Sequence, residues 1–186
     1  NYYYPIYIEE NNIDMHHIPQ NGIGLNDLYT SPVVVTIHDL IPYILPETVG
    51  RGYLQRFLRD MPLIVSNSKI ILTVSEYSKR DIMKFFPFVD EEKIFVTPLA
   101  ANKSYKPLNK PDCLEYIKNK YSIDSPFILY IGGFSTRKNV KELIIAFKKI
   151  QKSLKKDYKL VLCGSVKDEG VKLQELCKEL LIDDKI

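Results

Sequence analysis

The chain has 186 residues, 45% of them hydrophobic and 26% charged, with a formal net charge of +3. This balance excludes a mainly disordered chain, because there is enough apolar material to form a core. No run approaches the roughly 18 consecutive apolar residues that a membrane-spanning helix needs. The mild positive surplus lacks the concentrated basic stripe of a nucleic-acid-binding protein, so no nucleic-acid partner is predicted. The densest lysine cluster lies on a predicted helix, where a solvated face is favoured over an anion-binding patch.

The first half of the chain alternates predicted strands and helices. Apolar and β-branched runs predict strands over 13–18, 33–37, 70–74 and 93–97. Between them, the pattern predicts helices over 53–66 and 76–86. Pro62 should kink or end the first helix, and Ser75 should cap the second. The run 33–37 is apolar on both faces, which is typical of a strand inside a parallel sheet.

The second half repeats this alternation after a change in composition. Residues 101–125 are rich in Asn, Lys and Pro and are interpreted as an interdomain linker, with a helix within 113–121. A buried strand is predicted over 127–131 and a further strand over 159–163, and each is followed by an amphipathic helix. Asn139 is the expected N-cap of the first of these helices, with Glu142 completing a capping box.

This order predicts an α/β protein with two Rossmann-like units and parallel sheets. The first unit would cover residues 1–100 and the second residues 126–186, on either side of the linker 101–125. The second unit has only two strands, which cannot bury helices on both faces, and the first unit starts without a clear strand-helix pair. We therefore expect both units to be incomplete. The odd number of cysteines, three, argues against a disulfide framework and a zinc site. We expect Cys163 and Cys177 to be buried, reduced thiols.

The most informative candidate site is the loop that follows the strand 127–131. Gly132 and Gly133 allow a ligand to approach the backbone, and Arg137 and Lys138 stand just before a helix. A helix N-terminus beside two cations suits a phosphate or diphosphate. The alternative is an ordinary strand-to-helix turn whose cations face solvent. Neither a Walker loop nor a GxGxxG pattern is present.

Other polar residues follow the strands of the first unit. His38 and Asp39 come after a buried strand, at the edge where open parallel sheets bind ligands. His38 could equally be a structural residue bonded to a loop carbonyl. His16 and His17 lack further ligands at suitable spacing, and no D-x-D triplet occurs, so no metal site is predicted. Ser75 is better explained as a helix cap than as a nucleophile.

Three runs in this order carry a resemblance to a known family: 33–42 (VVVTIHDLIP), 72–81 (LTVSEYSKRD) and 128–139 (ILYIGGFSTRKN). They resemble the GT-B glycosyltransferases of family 4, particularly bacterial mannosyltransferase-like members. The resemblance implies two Rossmann-like domains facing a cleft, with the acceptor on the first and the nucleotide-sugar donor on the second. It also implies retention of anomeric configuration, no metal, and no cofactor besides a GDP- or UDP-linked donor substrate. A glycan or lipid-linked acceptor and a polysaccharide pathway are expected.

The resemblance also implies roles for individual residues. Arg137 and Lys138 would stabilise the diphosphate leaving group, in a donor site that includes Gly132, Gly133 and Asn139. His38 would lie near the transferred sugar. Asp39 and Ser75 would lie on the acceptor side of the cleft.

One departure and two alternatives accompany this assignment. Many relatives carry an arginine where Phe134 follows the glycine pair here. A nucleotide-sugar 2-epimerase of the same fold would need a pair of acid/base carboxylates that the sequence does not display. A non-catalytic module that binds nucleotides or phospho-ligands is the third interpretation. The expected location is the cytoplasm, with weak peripheral contact with the inner face of a membrane.

Overall fold

A computed structural model describes residues 3–25, 29–166 and 168–186. The chain divides into two compact units, residues 1–102 and 103–186. Each unit is an α/β structure with a parallel sheet, which confirms the predicted class. The boundary between the units falls within the segment 101–125.

The first unit is built on a four-stranded parallel sheet in the order β1-β2-β3-β4. Its strands are β1 (His16–Ile18), β2 (Val33–Ile37), β3 (Ile70–Thr73) and β4 (Ile94–Val96). All of β2 is buried, as its apolar run predicts: strands β1 and β3 pair with its two edges, and Val33, Val35 and Ile37 pack in a hydrophobic core. Since the strands are parallel, their carboxyl ends meet at one edge, and His38 follows β2 at that edge.

The described residues of the first unit include four α-helices. They are α1 (Tyr3–Glu10), α2 (Ile41–Ile44), α3 (Arg51–Asn67) and α4 (Glu76–Phe85). Met61 and Ile64 of α3 and Ile82 of α4 are at most 3% exposed in the core cluster that includes β2. Helix α1 is absent from the sequence prediction because Tyr4, Ile6 and Tyr7 remain exposed and leave no helical period.

Helix α3 continues through Pro62, so the expectation that the helix could end there is wrong. Proline has no N–H to donate to the carbonyl four residues earlier, which is that of Leu58. The hydroxyl of Tyr43 donates to this carbonyl instead, at 3.4 Å. A side chain from α2 therefore supplies a hydrogen bond that the helix backbone cannot make.

The second unit has a two-stranded parallel sheet and three longer helices. Its elements are α5 (Lys110–Tyr121), β5 (Phe127–Ile131), α6 (Val140–Ile150), β6 (Lys159–Cys163) and α7 (Asp168–Glu179). Ile144 and Phe147 of α6 pack with Leu160 of β6 and Cys177 of α7 in the second core. Burial raises the pKa of the Cys177 thiol, in agreement with the expected inert, buried cysteine.

The expectations of a buried strand over 127–131 and of a buried Cys163 are wrong for one face of the sheet. Leu129 is 49% exposed and Ile131 is 75% exposed, and Cys163, paired with Ile131 in register, is exposed too. Helices α6 and α7 pack against the opposite face, where Leu160 is buried and Tyr130 packs against the core. Within the described residues, no helix combines the length and apolar character that a membrane crossing requires.

Candidate functional site

The glycine loop begins where β5 and β6 end side by side. The N–H of Gly132 donates to the carbonyl of Cys163 at 2.9 Å. Gly132 adopts a φ of +156°, and a Cβ there would lie 2.9 Å from the hydroxyl oxygen of Tyr130. A Cβ on Gly164 would lie 2.2 Å from the carbonyl oxygen of Gly132. Glycine at both strand ends therefore permits a backbone approach that any side chain would prevent.

The two cations of the loop lie on a single 3-10 turn, Thr136–Lys138, ahead of α6. Both Arg137 and Lys138 are exposed, and neither forms an ion pair with a carboxylate among the described residues. The backbone N–H groups of residues 133–137 likewise donate no hydrogen bond to any part of the chain that the structure describes. Unpaired cations beside successive free N–H groups form an electropositive surface suited to an anion.

The expected capping box at the start of α6 is wrong. Asn139 has left-handed backbone angles, φ 52° and ψ 35°, and its side chain makes no capping hydrogen bond. Its N–H donates to the carbonyl of Thr136 at 3.0 Å, so Asn139 closes the 3-10 turn. Asparagine tolerates this conformation better than most residues. Asn139 thus joins the turn to α6 through its backbone geometry.

A cavity of about 490 Å³ adjoins the loop between the start of α6 and α7. Phe134, Thr136 and Asn139 line it on the loop side, and α7 contributes Lys172 and three glutamates, Glu169, Glu175 and Glu179. This volume lies within the range of small-ligand sites. The loop therefore combines an electropositive backbone with an adjoining hollow in the same unit.

In the first unit, His38 is held at three points. Its N–H donates to Oδ1 of Asn21 at 2.8 Å, and its carbonyl accepts from the hydroxyl of Ser78 at 2.9 Å. Its ring Nε2 lies 2.9 Å from the carbonyl oxygen of Pro19. Because a carbonyl only accepts, Nε2 is the donor of this hydrogen bond, and in the corresponding tautomer of the imidazole Nδ1 is the acceptor. The ring is half-buried, and its described hydrogen bond stays within its own unit.

The other candidates of this edge act at helix starts. Oδ1 of Asp39 accepts from the N–H of Ile41 at 3.1 Å, at the start of α2. The hydroxyl oxygen of Ser75 accepts from the N–H of Ser78 at 3.1 Å, which confirms the predicted cap of α4. A cavity of about 640 Å³ lies nearby, between α3 and the turn that contains Asn21.

The histidine pair of β1 has structural partners. Nε2 of His17 lies 2.9 Å from Oγ1 of Thr36. The ring of His16 stacks on Tyr29 at 5.4 Å between centroids, and burial, followed by the neighbouring His17, lowers the pKa of His16. Among the described residues, no group of three or more His, Cys, Asp or Glu side chains could hold a metal ion.

Sequence reasoning missed several residues that shape these sites. Asn21 is 6% exposed with a left-handed φ of 50°, and the Asn-Gly pair in the sequence is the signal that predicts such a turn. Tyr130 is the only residue with a polar side chain in β5, and its hydroxyl donates to the carbonyl of Gly133 at 2.7 Å. A buried tyrosine hydroxyl usually finds a partner, although sequence alone does not say which. No local pattern indicates the bond from Ser78.

Comparison with known proteins places these sites in context. Residues 115–186 match the family described as glycosyl transferases group 1. The chain is 28% identical over 131 residues to the Escherichia coli O-antigen chain mannosyltransferase B, which covers 70% of this chain and 34% of that protein.

Two solved structures are similar in fold. The glycosyltransferase of Rickettsia africae ESF-5 superposes with a TM-score of 0.67 at 18% identity, and the match covers 98% of this chain and 48% of that protein. Anabaena HepE, solved in complex with UDP, superposes with a TM-score of 0.59 at 16% identity, and the match covers 83% of this chain and 40% of HepE. The match to the curated mannosyltransferase covers about a third of that protein's length. The resemblance to GT-B glycosyltransferases that the three runs indicate is confirmed, and the glycine loop lies inside the matched residues.

Proposed function

We propose, on the basis of that resemblance, that the protein carrying this sequence is a retaining glycosyltransferase. The reaction moves a hexose, with mannose preferred, from a GDP- or UDP-linked donor to a glycan or lipid-linked acceptor. The observation that carries the proposal is the pair Arg137 and Lys138 beside the free N–H groups of residues 133–137. The mannosyltransferase relative supports mannose, and the neighbour solved with UDP supports a nucleoside diphosphate in such a fold.

The loop would act on the leaving group. As the bond between the sugar and the diphosphate breaks, negative charge grows on the diphosphate oxygens. Arg137 and Lys138, held on one turn, would stabilise this charge more strongly in the transition state than in the bound donor. The N–H groups of the loop would add the partial positive charges of fixed backbone dipoles. The donor would extend from this loop into the adjoining cavity of about 490 Å³.

These two cations also support independence from a divalent metal. A metal ion in such a reaction neutralises diphosphate charge, and Arg137 and Lys138 supply two positive charges for that task. We therefore propose that excess chelator leaves transfer unchanged.

His38 would contribute from the first unit. With Nε2 bonded to Pro19, its Nδ1 is the atom that would accept a hydrogen bond from a hydroxyl of the transferred sugar or of the acceptor. A His38→Ala variant of the natural polypeptide should then lose turnover with little loss of thermal stability. A variant that loses several kcal/mol of stability but turns over normally when folded would make His38 structural, on the scale of a broken buried network.

The proposal is tested with a donor panel on the natural polypeptide that carries this sequence. GDP-mannose, GDP-fucose, UDP-glucose and UDP-galactose are offered with oligosaccharide and lipid-linked acceptors, with and without excess chelator. We expect transfer of one hexose, a product of the same anomeric configuration as the donor, and no effect of the chelator. Conversion of the donor sugar to its 2-epimer without transfer would instead favour the epimerase. Donor binding without any reaction would favour a binding module. The cytoplasmic location and peripheral membrane contact stay predictions.

A further inference from the structure

Tyr130 links the strand β5 to the glycine loop that follows it. Its ring belongs to the second core and stacks with Phe134 at 6.2 Å between centroids. Its hydroxyl donates to the carbonyl oxygen of Gly133 at 2.7 Å, the usual length of an O–H···O hydrogen bond. The strand that ends at the loop therefore also binds the loop's own backbone, three residues further along.

This bond fixes the direction of one peptide group. A trans peptide is planar, with its C=O and N–H pointing in opposite directions. Because the carbonyl of Gly133 points to the Tyr130 hydroxyl, the N–H of Phe134 in the same peptide points away from it. That N–H is one of those in residues 133–137 with no acceptor among the described residues.

The other end of the same peptide is fixed by the Phe134 side chain. A Cβ on Gly164 would lie 2.9 Å from Cζ of Phe134, and a Cβ on Gly170 would lie 3.2 Å from its Cδ2. The phenyl ring thus packs closely over two glycines, one after β6 and one in α7. The Gly133–Phe134 peptide is held by a hydrogen bond on one side and by this ring packing on the other.

We propose that Tyr130 is a positioning residue that holds the Gly133–Phe134 peptide with its N–H directed towards the diphosphate of the donor. The inference rests on the proposed function, since it assumes that an anion binds at this loop. Gly133 has no Cβ to restrict its backbone, so without the Tyr130 bond only the packing of the Phe134 ring would oppose rotation of the peptide. A rotated peptide would present a carbonyl oxygen to the diphosphate, which repels it. Holding the peptide in advance removes this cost from binding.

The test compares Tyr130→Phe with a matched control, Tyr158→Phe. Both rings pack in the second core, but the Tyr158 hydroxyl makes no hydrogen bond with the described residues. Inorganic pyrophosphate and GDP are titrated into each protein, with affinity measured by calorimetry and by the amide resonances of residues 133–137. We expect Tyr130→Phe to weaken both ligands about five- to tenfold, the value of one net hydrogen bond. Tyr158→Phe should bind as the wild type does, and both variants should melt close to it.

A rescue variant separates positioning from general packing. A Cβ on Gly133 would meet no atom within 4 Å, so Gly133→Ala should fit while restricting the peptide's rotation. We expect the double variant Tyr130→Phe/Gly133→Ala to recover part of the affinity for pyrophosphate and GDP that Tyr130→Phe loses. Recovery would not occur if the hydroxyl acted only through the stability of the core.

The outcomes distinguish this inference from the proposed function. If pyrophosphate and GDP bind the wild type and Arg137→Ala weakens them, but Tyr130→Phe does not, the positioning role is wrong and the diphosphate site stands. If neither ligand perturbs residues 133–137 in the wild type, the proposed diphosphate site fails and the inference fails with it. A Tyr130→Phe protein that unfolds would also overturn the inference, because it would make the hydroxyl a requirement of the core.

Discussion

The turn that holds His38 depends on Gly22, and Gly22→Ala should destabilise the first unit by two separable effects. Gly22 has a left-handed φ of +67°, which costs roughly 1–2 kcal/mol for a residue with a Cβ. The new Cβ would also lie 2.3 Å from Cγ2 of Ile64 and 3.2 Å from Cγ1 of Val35. Overpacking of this kind costs about 1–3 kcal/mol. We therefore expect a total loss of about 2–5 kcal/mol in the free energy of unfolding.

Two other glycines provide controls. Gly24 has a φ of +103° with no atom within 4 Å of an added Cβ, so Gly24→Ala should show backbone strain alone. Gly52 lies in α3 with open space around it, so Gly52→Ala should be neutral or stabilising by up to about 1 kcal/mol. Urea unfolding gives the free energies, and amide hydrogen exchange in β2 assigns them to the first unit. A Gly22→Ala protein no less stable than Gly24→Ala would refute the close packing of this turn against α3.

Three further predictions concern stability in the first unit. Ser75→Ala should cost about 1 kcal/mol through loss of the α4 cap, and Ser75→Asp should retain most of it, both measured by urea unfolding. Because burial lowers the pKa of His16 below its ordinary 6.5, the unfolded chain takes up the proton first as pH falls. The stability that neutral His16 contributes should be fully present above pH 6.5 and should decline as the pH falls from there to the pKa of His16 in the folded state. His16→Gln should flatten that part of a plot of the urea unfolding midpoint against pH. Tyr43→Phe should lower the free energy of unfolding by about 0.5–1.5 kcal/mol. The loss should be smaller in a Pro62→Ala background, because the backbone N–H of residue 62 can then donate to the Leu58 carbonyl. Equal losses in the two backgrounds of this double-mutant cycle would contradict the role of Tyr43.

The strands were the most predictable part of the fold. The run 33–37 is apolar on both faces, which predicts a strand with both faces covered, and every residue of β2 is buried. The run 127–131 is equally apolar, but among the described residues α6 and α7 cover only one face of β5. A hydrophobic pattern therefore predicts a strand, while the elements packed on each face of the sheet decide which side chains are buried.

The site residues show a similar limit. The glycine pair and the two cations were readable from the loop sequence because their chemistry is local. The hydrogen bonds from Tyr130 to Gly133 and from Ser78 to His38 depend on how elements pack, and no spacing predicts them. Asn139 occupies the predicted N-cap position of α6, but its side chain makes no capping hydrogen bond. Its residue type suits both an N-cap and a left-handed turn, and the 3-10 turn before α6 gives it left-handed backbone angles.

The central claim is that Arg137 and Lys138 stabilise the diphosphate leaving group of a nucleotide-sugar donor. The most direct measurement is the turnover of the natural polypeptide carrying Arg137→Ala or Lys138→Ala, with Lys149→Ala, an exposed lysine at the end of α6, as the control. The account predicts that each loop variant loses about 10²–10³-fold in turnover at saturating donor and that the control keeps wild-type activity. Turnover within a factor of two of the wild type for both loop variants would contradict it.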